Sequence, residues 1–432
     1  MNDVIYLFVL YLCPVNFIHL NLLYHFGLWL YRLIARLIAP FYAKAALFTK
    51  GHNRLIFKMR KQITHDKPIV WFHCASLGEF EQGRPIMEGY RKRAPDCKIV
   101  LTFFSPSGYE TKKEDPVADW IFYLPLDTKR NARRFLNTIQ PVKAIFIKYE
   151  FWYNYLVALK KRNISTYIVS ATFRSSQPFF KWYGAFFRRM LRTFSLLFVQ
   201  NQASKDLLNR IHFTNAVVAG DTRFDRVWEQ AQLPCSLPVI EAFCSQVSKQ
   251  EICVAGSTWP RDEAILVQAL KAHPKLRLIL VPHEVNPAHI TQIVEQFSLF
   301  SPVLYSQLSH YEVFPIQSKV LVVDAIGLLS SLYRFGSMAY VGGGFLDGIH
   351  NIPEAAVYSV PVLFGPNYKK FNEAVDLIKL GGAHVVHTFQ EVTAQIGLWL
   401  MAPQRCIEEG QICFGYVQRN LGATQMILDN ML

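Results

Sequence analysis

From Pro68 onward the chain alternates short, continuous apolar runs with stretches of helical patterning. Pro68 to Cys74 reads as a strand, Glu79 to Arg93 as a helix and Lys98 to Phe103 as a strand. Trp120 to Leu124, Ala144 to Lys148, Thr166 to Ser170 and Leu196 to Val199 follow, each with a polar or helix-forming stretch behind it. Strands that are apolar on both faces and separated by helices predict a parallel sheet covered on both sides. The pattern breaks at Gln232-Leu233-Pro234-Cys235-Ser236-Leu237-Pro238. It restarts with Ile252 to Ala255, Leu276 to Val281, Val320 to Val323, Ser337 to Val341 and Pro361 to Phe364. Two doubly wound α/β halves are the expectation, and 432 residues suit two cores better than one. Ligands of such sheets lie at the carboxyl ends of strands, and two facing halves make a cleft.

Composition narrows the class. With 51% hydrophobic and 18% charged residues the chain is not disordered. Its formal charge of +14 predicts an anionic partner: nucleic acid, acidic lipid headgroups or a small acidic substrate. The cysteines form no CxxC pair, so neither a zinc site nor a disulfide scaffold is expected. From Val4 to Tyr31 there is no Asp, Glu, Lys or Arg, and Arg32, Arg36, Lys44, Lys50 and Arg54 follow. That stretch has the length of a bilayer span, and the basic flank places the remainder in the cytoplasm. Pro14, Asn16, His19, Asn21 and His25 weaken a span, so a helix lying in the membrane interface competes with it.

The chain's most informative local signal is Gly342-Gly343-Gly344-Phe345-Leu346-Asp347-Gly348-Ile349-His350-Asn351-Ile352-Pro353-Glu354. It stands between an apolar run and a helical pattern that stops before Pro361. Such a loop lets a ligand approach the backbone, and a helix start offers free N–H groups to an anion. The same residues also suit a plain helix start, with Asn351 as N-cap and Glu354 as its reciprocal partner, or close packing. In Ser76-Leu77-Gly78-Glu79 the acid is either a capping-box residue or a general base at a strand end. Lys148-Tyr149-Glu150 brings a second acid to another strand end, either as a solvated residue at a helix start or as a partner of Glu79 in a shared site. Arg223, in Asp221-Thr222-Arg223-Phe224-Asp225, either pairs with its neighbouring acids or neutralises a departing phosphate. Gly256-Ser257-Thr258 reads as a phosphate seat or an ordinary N-cap, and Pro282-His283 closes a further strand. No HExxH, GxSxG, P-loop or DxD pair stands in the right context, so metal-free chemistry is expected. Residues 178–194 interleave aromatics with Lys181, Arg188, Arg189 and Arg192. That pattern suits a membrane surface, single-stranded nucleic acid or an amphipathic helix whose cations reach water.

From about Gly27 to the C-terminus the chain resembles the 3-deoxy-D-manno-octulosonic acid (Kdo) transferases of Gram-negative bacteria. The resemblance rests on Ala75-Ser76-Leu77-Gly78-Glu79, Thr102-Phe103-Phe104-Ser105-Pro106-Ser107-Gly108 and Tyr149-Glu150-Phe151-Trp152. Gly256-Ser257-Thr258 and the block His350-Asn351 to Glu354, with Pro361-Val362-Leu363-Phe364-Gly365-Pro366, complete it in matching order. It implies a GT-B glycosyltransferase of two Rossmann-like domains, anchored at the cytoplasmic face of the inner membrane. Members move Kdo from CMP-Kdo to a lipid A precursor (lipid IVA), inverting the anomeric centre without a metal or other cofactor. Glu79 then matches the catalytic base, Glu150 an acid assigned to transition-state stabilisation, and Arg223 a position where the family commonly has Lys. CMP contacts map to Gly256, Ser257, Thr258, Pro282, His283, Ile326, Gly327, Leu328, Asn351, Ile352, Pro353 and Glu354. The chain departs from the family at His283-Glu284, where many members have Arg-His, and at Gly327-Leu328, where many have Gly-Glu.

The expected layout is an anchor with a basic flank over 1–50, an acceptor domain over 51–232 and a donor domain over 233–402. Helices over 403–432 complete it, and their crossing back to the first domain is left open by the sequence. Expected partners are the CMP-Kdo donor, the lipid acceptor and a membrane surface, with no nucleic acid. The rival readings are a GT-B transferase for another nucleotide-activated acidic sugar, and a non-catalytic membrane-surface scaffold of the same fold.

Overall fold

The computed structural model describes residues 17–310 and 317–432, so the first part of the expected anchor, from Val4 to residue 16, lies outside the described residues. The chain divides into two compact units. The first runs up to Arg226 and takes back Gly422–Leu432, and the second is Val227–Leu421. The division falls inside one helix, Thr222–Gln232.

The first unit holds strands β1 (Ile69–Cys74), β2 (Lys98–Phe103), β3 (Trp120–Tyr123), β4 (Pro141–Ile147), β5 (Ser165–Ala171), β6 (Leu196–Val199) and β7 (Ala216–Val218). They form one parallel seven-stranded sheet in the order β3-β2-β1-β4-β5-β6-β7. Every residue of β1 is buried, because helices cover both faces. The two-residue period sorts them: Ile69 and Trp71 enter one core with Val100, Ala144 and Phe146. Val70, Phe72 and Cys74 enter the other with Ile99, Leu101, Ile145 and Ile147. That second core is completed from the far end of the chain by Ile427, Leu428 and Met431 of the helix Ala423–Met431. Arg93 pairs with Asp429 at 2.6 Å beside it.

The second unit repeats the plan with β8 (Ile252–Thr258), β9 (Arg277–Pro282), β10 (Val303–Leu304), β11 (Val320–Val322), β12 (Met338–Val341), β13 (Val362–Phe364) and β14 (Ala383–Val385). The order is β10-β11-β9-β8-β12-β13-β14, again parallel. In each sheet the chain first winds one way and then reverses, so β1/β4 and β8/β12 are the switch points at which such folds bind ligands. Not read from the sequence were β10 and β14, two and three residues long at opposite edges, which are too short to show a pattern.

Among the described residues no single helix is long and apolar enough to cross a membrane, although a bent pair, Leu20–Ile38 with Ala43–His52, passes by composition. The helix Phe17–Ile38 is docked on the first unit: Leu28 and Ala35 are buried, and Tyr24 donates to Asp127 Oδ2 at 2.5 Å. Burial lifts the Asp127 carboxyl to about 6, against its hydrogen bonds from Tyr24, Asn154 and Tyr155. The opposite face is apolar as well, with Leu22 62%, Phe26 51%, Trp29 56% and Leu37 64% exposed. The next helix, Ala43–His52, lies so close to Tyr123 that a Cβ at Gly51 would fall 2.3 Å from its ring. The aromatics of residues 178–194 serve mainly as core: Phe179, Phe186, Phe187 and Phe194 are buried, and Arg188 is bonded to the carbonyls of Phe179 and Lys181. Trp182 is the aromatic of that segment that stays largely exposed.

Candidate active site

At the β1/β4 switch point the first unit crowds ionisable groups together. Glu79 stands in the first turn of the helix Leu77–Arg93, just after β1, and its Oε2 accepts the backbone N–H groups of Ala75 (2.5 Å) and Ser76 (3.1 Å). The capping box is therefore formed, and the same carboxylate sits at a strand's carboxyl end beside a second acid. Burial first, and then the Glu150 carboxylate, push the Glu79 carboxyl well above the ordinary carboxylate range. His73, Lys148 and the Ala75 N–H act against that rise.

Glu150 follows β4 and is buried with His73, the penultimate residue of β1. The indole N–H of Trp152 lies 2.6 Å from Glu150 Oε2 and 3.0 Å from His73 Nε2, and these two acceptors are 3.2 Å apart. The other ring nitrogen, Nδ1, is 3.1 Å from the Thr102 carbonyl and 2.9 Å from the Thr102 hydroxyl, so both ring nitrogens have polar partners. Burial pushes His73 down to about 4, although the Glu79 charge and the Thr102 carbonyl pull it the other way. The imidazole is therefore neutral and leaves the Glu150 charge in place to act on Glu79. Sequence reasoning missed His73 and Trp152 as site residues, because each lies in an apolar run that reads as core.

Lys148, at the end of β4, has φ 69° and Ser170, at the end of β5, has φ 55°. Left-handed non-glycine residues at strand ends of a sheet are strain of the kind concentrated at functional sites. Arg223 lies in the helix after β7, and its Nε and Nη2 both reach Asp221 Oδ2, at 2.9 and 2.7 Å. Burial favours a protonated Asp221, but Arg223's charge and hydrogen bonds outweigh it and hold the carboxyl below its usual value. The pairing with a neighbouring acid is thus the arrangement present.

In the second unit the sequence-read residues come to the carboxyl ends of four adjacent strands, β11, β9, β8 and β12. Gly256, Ser257 and Thr258 end β8, with Ser257 left-handed at φ 53°. The Thr258 hydroxyl is committed to Glu263 at 3.0 Å. Pro282 ends β9, and His283 N–H donates to the Thr258 carbonyl. The His283 ring packs near-parallel against both Trp259, with centroids 4.8 Å apart, and His350, 4.4 Å apart. Trp259 Nε1 also lies 3.3 Å from His350 Nε2. Burial lowers His283, and burial followed by His283 lowers His350 to about 4, so the three rings form an uncharged stack. Trp259 and His350 were not singled out as site residues: the stack joins three separate loops.

The glycine loop differs from expectation. The helix behind it is a single turn, Pro353–Ala356, preceded by Ile352 rather than capped by Asn351. Asn351 Nδ2 instead bonds the Glu354 carboxylate at 2.8 Å, and Asn351 Oδ1 is buried with no partner among the described residues. A Cβ at Gly342 would fall 2.2 Å from the Ser257 carbonyl oxygen, and one at Gly344 2.6 Å from Gly365 N, so both glycines serve backbone packing. Asp262 pins this loop, accepting from Gly343 N and Trp259 N at 3.0 Å each and from Tyr340 Oη at 2.7 Å. Ile326 and Gly327 lie in the exposed loop beyond β11, with Leu328 leading into the short helix Leu329–Leu332. Among the described residues no group of three or more His, Cys, Asp or Glu side chains is placed to hold a metal ion.

Residues 50–226 match the family model described as 3-deoxy-D-manno-octulosonic-acid transferase (kdotransferase). The chain is 25% identical over 361 residues to a 3-deoxy-D-manno-octulosonic acid transferase of Rickettsia felis, covering 81% of this chain and 75% of that one. It is 26% identical over 334 residues to the Aquifex aeolicus protein of the same name, covering 76% and 84%. The chain is thus similar to Kdo transferases over most of its length. Among solved structures, UDP-GlcNAc 2-epimerase of Neisseria meningitidis shares its fold with a TM-score of 0.60 at 15% identity, over 84% of this chain and 99% of that one. MurG of Acinetobacter baumannii does so with a TM-score of 0.51 at 13% identity, over 84% and 99%. The fold is thus of the GT-B type, and the similarity to Kdo transferases supports glycosyltransferase activity.

Proposed function

We propose that the protein transfers Kdo from CMP-Kdo to a lipid A precursor, lipid IVA, in lipopolysaccharide synthesis, inverting the anomeric centre without a metal. The observation that carries this reading is the pair of carboxylates at the β1/β4 switch point, where Glu150 raises the proton affinity of Glu79. A base must hold the proton it removes, and a raised carboxyl does so nearer neutral pH. Glu79 takes the proton of an acceptor hydroxyl, and that oxygen forms a bond to the anomeric carbon. The bond from that carbon to the CMP phosphate oxygen breaks, and the electron pair leaves with CMP. Glu150 stabilises positive charge that develops at the sugar, and Arg223, released from Asp221, offsets the phosphate. In the second unit the ring stack and the Asn351–Glu354 turn hold the nucleotide. Asn351 Oδ1, buried without a partner among the described residues, is an acceptor available to a cytosine amino group or a ribose hydroxyl.

We place the enzyme at the cytoplasmic face of the inner membrane. The helix Phe17–Ile38, apolar on its packed and its outward faces, supports that placement, since an outward apolar face favours a lipid surface. The test is CMP release and product mass from CMP-Kdo with magnesium chelated, with and without a tetraacyl lipid A precursor. Acceptor-dependent release with a product heavier by Kdo is the expected result. No turnover by folded, lipid-reconstituted protein would overturn the donor assignment.

A further inference from the structure

A groove of about 1110 Å³ lies in the first unit, between its opening helices and the helix Lys129–Ile139. Arg32, Arg36, Lys50, Arg54, Arg60 and Arg134 line it, and no Asp or Glu does. All six are exposed, and none forms an ion pair among the described residues. Like charges gathered without counter-carboxylates repel one another, and an anionic ligand relieves that repulsion. The rest of the wall is mainly apolar, with His25, Thr49, His52, Asn53, Thr128 and Asn131 as its uncharged polar residues. Leu28, Ala35, Phe48, Leu55, Pro125 and Leu126 are buried in it, and Trp29 and Phe57 are exposed at 56% each. The Thr49 hydroxyl oxygen, also in the lining, is buried with no hydrogen-bond partner among the described residues. An uncommitted hydroxyl beside cations that lack ion pairs is a further donor for an anion's oxygen. Arg54 holds a left-handed backbone, φ 51°, at the junction of the helices Ala43–His52 and Leu55–Gln62. A free phosphate would leave the apolar wall unused, and a neutral fatty chain would leave the cations unused.

From these observations we infer that the groove seats the phosphate-bearing end and the first acyl methylenes of the lipid acceptor. The inference rests on the reading of the protein as a transferase to a phosphorylated glycolipid. Its position favours the acceptor over bulk phospholipid. Phe48, in the groove wall, packs on Phe104 with centroids 5.5 Å apart. Phe104 packs on Trp152 at 4.7 Å, and the Trp152 indole donates to Glu150. The groove therefore backs onto the carboxylate cluster, and a lipid phosphate held in it leaves the sugar hydroxyls of the same molecule near Glu79.

The test is the double variant Arg36→Gln/Arg134→Gln, at exposed positions outside the carboxylate cluster. KM and kcat are measured with the phosphorylated acceptor and with its dephosphorylated form, in neutral-detergent micelles at saturating donor. Each cation near an anionic lipid contributes about 1 kcal/mol, so losing two raises KM for the phosphorylated acceptor by about tenfold or more. The KM for the dephosphorylated acceptor and the donor KM stay as in the unaltered protein. An equal effect on both acceptors, or none on either, overturns the proposal. Lost binding to phosphatidylglycerol vesicles with an unchanged acceptor KM also overturns it and assigns the groove to the bilayer. Equilibrium binding of the phosphorylated lipid to the same variants separates the two readings: it is weakened if the groove is the seat, even where no donor is turned over.

Discussion

The two units share a winding order and put their chemistry at the same topological place, yet they fill it in opposite ways. At β1/β4 the first unit buries Glu150 and His73 together, half-buries Glu79 and keeps Asp221 charged against Arg223. At β8/β12 the second unit presents backbone and the neutral rings of Trp259, His283 and His350, with the Asp262 carboxylate turned to structural hydrogen bonds. Moving a proton requires groups whose ionisation is held away from its solution value, which crowding and burial accomplish. Holding a nucleotide requires flat surfaces and fixed donors whose charge does not change. On the proposed function, one scaffold serves reaction and recognition by changing which residue types stand at strand ends.

The largest break in this comparison comes from Glu79→Gln. It keeps the side chain's size and removes the base, so turnover falls by about 10²–10⁴-fold while CMP affinity stays unchanged. Single-turnover kinetics together with calorimetric CMP titration check both halves, and a loss of CMP affinity would show that the division of labour between units is wrong. Gly342→Ala works in the other unit. Its Cβ would meet the Ser257 carbonyl oxygen at 2.2 Å, and backbone does not yield as a flexible side chain would. A loss of about 1–3 kcal/mol of stability is expected from such overpacking, with weakened CMP binding. Thermal unfolding with and without CMP measures it, and an unchanged midpoint would mean that the loop is slack. The finest distinction is in pH dependence. Glu79 acts deprotonated and its carboxyl is raised partly by Glu150, so kcat rises with pH through a limb above the ordinary carboxylate range. Glu150→Gln removes that repulsion and shifts the limb to lower pH, whereas Trp259→Ala leaves it in place. A kcat–pH profile of the three proteins checks this, and an unmoved limb in Glu150→Gln would dissolve the coupling.

Sequence legibility followed locality. Strands such as β1 and β9 announced themselves because a doubly covered strand must be apolar at every position. The acids at 79 and 150 were legible because a charge directly after such a run marks a strand's carboxyl end. His73 and Trp152 were not, since their role depends on β1 and β4 being neighbours, a pairing that brings together residues 77 and 79 positions apart. The glycine loop admits an anion seat or close packing from the sequence; Gly342 and Gly344 are required by the backbones of Ser257 and Gly365, and the helix behind them is one turn. Glycine spacing records that something comes close; what comes close is a tertiary fact.

By itself the sequence determined the α/β class, two parallel sheets and the charge-rich and charge-poor stretches, because these follow from the period and run length of apolar residues. The tertiary structure decided what closes those sheets. Ile427, Leu428 and Met431, from the other end of the chain, join Phe80, Ile86 and Met87 of the helix Leu77–Arg93 in the core beneath Val70 and Phe72. It also decided that cations scattered from Arg32 to Arg134 line one groove. Charge along a chain is additive and can be counted, but which charges share a wall depends on helix packing, and only packing sets the distances over which they repel or bind.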